Sequence, residues 1–311
     1  MFVTPFGGLF LLIYLFFTKY WWFATLYALW IWWDSEMPRR GGRPVEFLRN
    51  MSCWQWFRDY YPITLWKTVD LDPDKNYIFG CHPHGIIATG AFANFMVYGG
   101  KNDFRRLFPG LRSYVCTLNI NFFWPFHRDW WSLFGIIQSS QESIIHTLTK
   151  QGKGNAVAIV VGGVQEAYDA RPEAVTLKLA TRKGFIKMAL KTGAHLVPVF
   201  SFGENGLYTQ TFIPEEGTWM RSIQDGMKRL TTLSPVFFHG RGIFNYTFGL
   251  LPYRRRIDTI VGKPIAVERV PNPTQEQIDS LHSEYIGALK ELFESEKTNH
   301  GLDTSIPLII Y

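Results

Sequence analysis

The sequence predicts an α/β fold: a mixed, largely parallel sheet flanked by helices, behind an N-terminal hydrophobic membrane anchor. Three observations carry this expectation. Short β-rich runs such as Ala156 to Val161 and His195 to Phe200 alternate with segments of helical spacing, the pattern of a parallel sheet covered on both faces. Chain-turning glycines follow the strand runs, at Gly80 and at Gly162-Gly163. Residues Phe6 to Trp33 are almost wholly apolar or aromatic, with Lys19 as their only charge, and roughly 20 such residues suffice for a helix to cross a bilayer.

The N-terminal stretch fits one long tilted helix or two short helices that enter and return, turning near Thr18-Lys19. A cleaved signal peptide fits poorly, because Met1 to Pro5 has no basic residue and bulky Trp residues crowd the end. Arg39, Arg40 and Arg43 follow directly, which by the positive-inside tendency puts the remainder on the cytoplasmic side. Beyond them, Asn76 to Phe79 reads as a strand ending at Gly80, and Ile86 to Tyr98 as a helix of small and apolar residues. Ala156 to Val161 reads as a buried strand. Gly184 to Leu190 is helical and stops at Gly193. His195 to Phe200 and Ile257 to Val261 are further strands, and Gln275 to Phe293 is a long amphipathic helix. There is no internal repeat or low-complexity linker. Residues 1–43 are therefore read as anchor and basic flank, and residues 44–311 as one domain.

Composition narrows the function classes. The 311 residues are enough for a sizeable core. Aromatics make up 17 %, including twelve Trp, and Trp and Tyr favour the membrane–water interface. The net charge of +6 suits nucleic acid, anionic lipid or a polyphosphate ligand. With no RNA-binding signature, zinc finger or long basic block, nucleic acid is the weakest of the three. Cys53, Cys81 and Cys116 are widely spaced and odd in number, which speaks against a disulfide framework and a metal site. Two glycosylation triplets begin at Asn50 and Asn245, and neither is expected to be used in a domain facing the cytosol.

Chemistry concentrates in Phe79-Gly80-Cys81-His82-Pro83-His84-Gly85. Glycines on both sides let the backbone turn and approach a ligand, and Pro83 fixes the local angle. Histidine titrates near neutral pH and suits removal of a hydroxyl proton. A following helix would aim its N-terminal amides at the loop, where they could steady an oxyanion. The residues alone also fit a hydrogen-bonded structural site and, less well, a metal site. Gly162-Gly163-Val164-Gln165-Glu166 follows a strand, the position where α/β folds keep active groups. Glu166 fits orientation of a histidine or a hold on a substrate hydroxyl, and equally a salt bridge to Arg171 or Lys178. Lys178, Arg182, Lys183 and Lys187 suit the phosphates of coenzyme A, or a plain basic surface. The run Phe122 to Trp131, which includes His127, Arg128 and Asp129, suits an acyl groove or interfacial anchoring. Cys81 raises a covalent alternative, although a Cys beside such a loop is commonly mere packing.

Taken together, these segments resemble the monoacylglycerol and type-2 diacylglycerol acyltransferase family, which includes wax-alcohol acyltransferases. The resemblance rests on His82-Pro83-His84-Gly85, Pro125-Phe126-His127-Arg128, Gly162 to Glu166, Arg182 to Phe185, Val197 to Asn205, His239 to Gly242 and Val261 to Ile265, which occur in family order from about Arg39 onward. Within the family the chain is most similar to 2-monoacylglycerol acyltransferases, through Gly85 to Asn94, Gln165 to Pro172 and Phe244 to Arg255. The resemblance implies a glycerolipid-acyltransferase-like catalytic domain over 44–311. His84, His82 and Glu166 would be its catalytic group. Arg182, Lys183, Lys178 and Gly85 would hold acyl-CoA, a co-substrate rather than a cofactor. Asn94, Arg128, Gly162, Gly163, Glu204, Asn205 and Arg241 would bind substrate. It further implies a place in the endoplasmic reticulum membrane with the catalytic domain facing the cytosol, or on a lipid droplet, and contact with membrane lipid, with a homo-oligomer as a further option. The Asp that broader glycerolipid acyltransferases place five residues after the catalytic His is missing here, where those positions are Ile87 and Thr89. This family normally lacks it, and Glu166 is the candidate to orient the histidine.

The expected reaction is direct acyl transfer in a ternary complex, with His84 as general base on a monoacylglycerol hydroxyl and His82 supporting the loop. Diacylglycerol or a fatty alcohol is the rival acceptor. A lipid-binding or droplet-coating protein would have lost the paired His or Glu166, and a transporter would need several apolar spans.

Overall fold

A computed structural model describes residues 4–163, 166, 175–212 and 237–311. Val164, Gln165 and Arg171 lie outside them. The chain opens on two short helices, α1 (Thr4–Phe16) and α2 (Trp21–Trp33). Next come α3 (Glu46–Arg49), α4 (Ser52–Tyr60), β1 (Ile63–Lys67), β2 (Tyr77–His82), α5 (Thr89–Phe95), α6 (Phe104–Leu107) and β3 (Arg112–Thr117). The middle of the chain supplies α7 (His127–Ser132), β4 (Ile136–Gln138), α8 (Gln141–Lys150), β5 (Asn155–Val160) and β6 (Val175–Leu177). The remainder forms α9 (Gly184–Thr192), β7 (His195–Phe202), β8 (Thr209–Phe212), β9 (Phe237–His239), β10 (Ile257–Val261), α10 (Gln275–Glu296) and β11 (Leu308–Ile310).

Seven strands form the main sheet in the order β1-β10-β7-β2-β5-β3-β4. All neighbours run parallel except β10 and β7, so the expected mixed, largely parallel sheet is present. The central strand β2 pairs on both sides, with Phe79 opposite both Ala158 and Val197. Its side chains alternate between faces. Ile78 joins the layer of α9 and α10, whose Ile186, Ala189, Leu281, Tyr285 and Leu289 are buried. Tyr77, Phe79 and Cys81 join the opposite layer with Phe95, Phe104 and Phe108. By the same alternation Gly80 and His82 face α10.

Several expectations are revised. Strand β2 runs on through Gly80 and Cys81 to His82, because two flanking strands continue to bond it. His82 is therefore a strand residue and not a loop residue. The helix expected over Ile86 to Tyr98 shrinks to Thr89–Phe95, because Gly85 (φ +58°) and Ala88 (φ +51°) turn the chain left-handed before it. Helix α10 outruns its expected end, and Thr274 and Gln277 form a capping box at its start.

Of the two N-terminal arrangements the sequence leaves open, the structure has the pair of short helices and not one long one. No helix among the described residues is long and apolar enough to cross a membrane. Each N-terminal helix has 13 residues, about 20 Å of length, and the chain reverses between them at Phe17 to Tyr20. The hairpin leaves Phe10, Phe17, Trp32 and Trp33 largely exposed. Among the described residues both helices are fastened to the segment 124–129, α1 through Phe6, whose ring lies 5.1 Å from that of Trp124. Tyr27 stacks on Phe126 with centroids 4.4 Å apart, its hydroxyl meets Asp129, and the Phe126 N–H donates to that hydroxyl at 2.6 Å. Arg128, itself buried, donates to the carbonyls of Asp34 (2.7 Å) and Ile31 (3.3 Å), which closes the C-terminal end of α2 with a cation.

Candidate active site

His82 stands last on β2 and is completely buried. Its Nε2 lies 3.0 Å from the Tyr285 hydroxyl, which lies 3.1 Å from the Gly80 carbonyl. The carbonyl can only accept, and the hydroxyl has one proton to give. The hydroxyl therefore donates to Gly80 and accepts from His82, which fixes the proton on Nε2. Position 80 must be glycine, since a Cβ there would run into the Tyr285 hydroxyl. Burial drives the His82 pKa down to about 3, so this ring is neutral; its Nε2 is committed to Tyr285, and its buried Nδ1 has no partner among the described residues.

His84 is held differently. Its Nδ1 lies 2.9 Å from the Gly85 carbonyl, so the proton sits on Nδ1 and the Nε2 lone pair is left without a partner among the described residues. The residue is only partly buried. Burial lowers its pKa, opposed by the bond to Gly85, and the ring is neutral at pH 7. A neutral imidazole with an open Nε2 is the form that accepts a proton.

Two buried carboxylates hold the loop that carries this ring. Glu166 accepts the backbone N–H of His84 at 2.9 Å through one oxygen and that of Lys178 at 2.9 Å through the other. It acts on His84 through the main chain rather than the imidazole, and what it takes from Lys178 is the amide. Glu204 accepts the N–H groups of Thr89 (2.6 Å) and Gly90 (2.8 Å), the start of α5. Burial raises the Glu204 pKa to about 7 against the lowering effect of those two bonds. Gly85 packs on Glu204, whose Cγ would lie 2.8 Å from a Cβ at that position.

Helix α5 has only seven residues and would not persist alone. Buried arginines secure its other end. Arg49 donates to the carbonyls of Phe95 (3.0 Å) and Met96 (2.8 Å), and Arg58 to that of Ala93 at 2.5 Å. A carboxylate at the N-terminus and cations at the C-terminus match the helix dipole. These arginines, like Tyr285, escape sequence reasoning. Arg49 and Arg58 look like surface charges on amphipathic helices, and Tyr285 falls on the apolar spacing of α10.

The helix amides are thus not aimed at a substrate, contrary to expectation, because Glu204 takes them. Instead, the N–H groups of Gly85, Ile86 and Ile87 have no acceptor among the described residues. Cys81 is buried and its thiol pKa is pushed up by burial, which disfavours a covalent route through it. Among the described residues, no group of three His, Cys, Asp or Glu side chains could hold a metal ion.

The structure gathers His82, His84, Gly85, Gly162, Glu166, Lys178, Arg182 and Glu204. Gly162 lies so close to the Glu166 carboxylate that a Cβ would collide with it; Gly163 follows with φ +65°. Arg182 is exposed and donates to the Gly162 carbonyl at 3.5 Å. Lys183 pairs with Asp279 at 2.7 Å, and Lys178 lies over the Tyr311 ring at 5.8 Å. Other expected substrate residues are engaged elsewhere. Asn94 is buried on α5 and donates to the Thr259 hydroxyl at 2.9 Å, Arg128 is committed to the N-terminal hairpin, and Arg241 bonds the Tyr60 hydroxyl. Asn205 follows Glu204 in the same short turn.

Residues 13–311 match the family model described as diacylglycerol acyltransferase. The chain is 45 % identical to 2-acylglycerol O-acyltransferase 1 of Bos taurus, over 96 % of this chain and 88 % of that protein. It is 46 % identical to the Homo sapiens protein of the same name, over 91 % and 84 %. It is 44 % identical to diacylglycerol O-acyltransferase 2 of Homo sapiens, over 94 % and 75 %. With a family match that runs through the histidine loop and both carboxylates, the chain belongs to the diacylglycerol acyltransferase family and is an O-acyltransferase.

Proposed function

We propose that the protein transfers an acyl group from acyl-CoA to a hydroxyl of 2-monoacylglycerol, giving diacylglycerol, with His84 as general base. The observation that carries this reading is the His84 ring, whose Nδ1 is tied to Gly85 while Nε2 stays open. Nε2 takes the acceptor proton, the hydroxyl oxygen attacks the thioester carbonyl, and the tetrahedral oxyanion meets the N–H groups of Gly85 to Ile87. Collapse expels the coenzyme A thiolate, which recovers the proton from His84. Base catalysis of this kind supplies about 10²–10⁴-fold in rate. His82, Glu166 and Glu204 position the loop. Lys178, Arg182 and Lys183 are assigned to the phosphates of coenzyme A, and no further cofactor is required. Gly162, Gly163 and Asn205 line the acceptor side in this reading.

The exposed aromatic hairpin of α1 and α2 supports attachment to one leaflet, with residues 44–311 on the cytosolic face of the endoplasmic reticulum or on a lipid droplet. Likeness to diacylglycerol O-acyltransferase 2 keeps diacylglycerol as the second acceptor. The test uses purified full chain in vesicles with labelled oleoyl-CoA and, separately, monoacylglycerol, diacylglycerol and a fatty alcohol. Monoacylglycerol is expected to give the highest kcat/KM. His84→Ala should abolish transfer and leave vesicle binding intact, and retained full activity would remove His84 from the mechanism.

A further inference from the structure

The loop from Gly240 to Leu251 exposes more apolar surface than a domain in water normally leaves open. Phe244 is 98 % exposed, and Ile243, Tyr246, Phe248 and Leu250 are all more than half exposed. The loop is a built structure and not a collapsed strand end. Its stem closes with Gly240 N–H to the Gly249 carbonyl (2.8 Å) and reciprocal bonds between Arg241 and Leu251 (2.8 and 3.0 Å). Its tip is set by Asn245, whose Oδ1 accepts the N–H groups of Thr247 (3.2 Å) and Phe248 (3.0 Å). The apolar side chains are therefore held outward.

The flank of the same loop is basic. From Gly240 to Arg256 there are four arginines, Arg241, Arg254, Arg255 and Arg256, and no Asp or Glu. Arg256 is neutralised by Asp258 at 2.7 Å. Arg254 donates to the Tyr60 carbonyl at 2.7 Å and lies over the Tyr60 ring, and neither it nor Arg255 meets a carboxylate among the described residues. An exposed aromatic tip above open guanidinium groups is complementary to a bilayer surface, where rings enter the acyl boundary and cations meet anionic headgroups.

We infer that the Gly240–Leu251 loop inserts its apolar tip into a bilayer carrying anionic phospholipid, as a lipid contact additional to the N-terminal hairpin. The loop is joined to the histidine segment through Tyr253 and Leu207. Tyr253 bonds the Leu207 carbonyl at 2.8 Å and His239 at 3.1 Å. Leu207 and Tyr208 pack in the cluster that Ile86 and Ile87 join, directly after His84-Gly85. Insertion would hold the active loop against the surface from which an apolar acceptor arrives. In that respect the inference deepens the proposed function, but its evidence does not depend on His84.

The test places an environment-sensitive fluorophore at the tip, as Phe244→Cys in a full chain carrying Cys53→Ser; Cys81 and Cys116 are buried. Vesicles of phosphatidylcholine alone and with phosphatidylserine are compared using a lipid-chain quencher and an aqueous quencher. The label should be reached by the lipid quencher and shielded from the aqueous one, with phosphatidylserine favouring that state. Arg254→Gln with Arg255→Gln should remove the preference, at about fivefold for each arginine. A label open to aqueous quencher on both vesicles overturns the inference, as does equal insertion with and without phosphatidylserine. Shielding that arises without lipid, on adding an acidic protein, would assign the surface to a protein partner instead. Adding His84→Ala to the labelled chain should stop turnover and leave the quenching unchanged, so failure of one reading is distinguishable from failure of the other.

Discussion

Glu166 is expected to act as a two-pronged backbone clamp, and Glu166→Gln tests that directly. The carboxylate takes two N–H donors, one from His84 and one from Lys178, each at 2.9 Å. A glutamine of the same shape has one accepting oxygen and one NH2 group. Whichever way it turns, one buried N–H faces another donor. Loss of one hydrogen bond to a charged group costs about 1.5–3 kcal/mol, and Glu166 is only 2 % exposed, so solvent gives little relief. The melting temperature of the detergent-solubilised chain should fall by several degrees, at about 2–4 °C per kcal/mol in a domain of this order of size. Because the released donor sits on His84 itself, the ring should shift. Misplacement of about 1 Å costs of order 10²-fold, so kcat should drop tenfold to a hundredfold with little change in KM for acyl-CoA. The shape of the pH–rate profile should survive, since the contact is to the backbone and not to the imidazole. Unchanged melting and kcat would refute the clamp, and a displaced acid limb would show that Glu166 acts on the ring instead.

Other outcomes follow from the same geometry. Transfer should lose rate on acidification in two steps: a loosening of the loop near pH 7 as Glu204 takes up a proton, which should vanish in Glu204→Gln, and a loss below the ordinary histidine range as the proposed base His84, whose pKa burial lowers, is protonated. Stability should decline as pH falls from about 6.5 toward the folded His82 value of about 3, since over that window the unfolded chain binds the proton that the buried ring refuses; thermal melts in steps of pH read this, and His82→Gln should flatten it. Tyr285→Phe strands the His82 Nε2–H and takes one donor from the Gly80 carbonyl, at about 1–3 kcal/mol for an unsatisfied buried group, visible as a lower melting temperature with His84 chemistry retained at reduced kcat. Arg128→Ala leaves Asp34 buried with Arg43 as its remaining cation and uncaps α2, so tryptic cleavage at Arg39 and Arg40 should accelerate; an unchanged cleavage rate would disconnect Arg128 from hairpin docking.

Much of this architecture can be read in the sequence, and the exceptions have physical causes. The buried strands at Ala156 and His195 and the helix ending at Gly193 are legible because their signals are local. The end of β2 is not, because a strand continues past glycine when neighbours on both sides keep bonding it, and pairing is a property of the sheet. The N-terminal stretch reads equally as one span or two half-length helices, since hydropathy has no direction; the reversal is closed by Thr18, whose hydroxyl donates to the Leu15 carbonyl and accepts the Tyr20 N–H, while α2 is held to the sheet domain by Tyr27, Arg128 and Asp129, about a hundred residues apart. The site was half visible. Histidine, proline and glycine in sequence announce a functional loop, and Glu166 and Glu204 are legible as candidate site carboxylates, but not as acceptors of backbone N–H groups. That both serve as acceptors for backbone N–H groups follows from where the folded chain leaves those groups unpaired.

The pairing of two histidines around Pro83 now has a physical account. Strand alternation sends His82 toward α10, where Tyr285 occupies the space that Gly80 leaves empty, and the ring ends there with its Nε2 proton spent. Beyond Pro83 the chain leaves the sheet. His84 can then be held at its backbone by Glu166 and at Nδ1 by Gly85, and neither contact uses Nε2. The two rings therefore carry opposite tautomers, set by a hydroxyl in one case and a carbonyl in the other. Exchanging their roles would require the strand to slip by one residue, which would turn every side chain of β2 to the wrong face. The buried ring fixes the register of the strand end, and that register delivers the second ring with its lone pair open. For this reason His82 substitutions should lower stability and kcat together, while His84 substitutions should remove kcat and leave the melting temperature nearly unchanged.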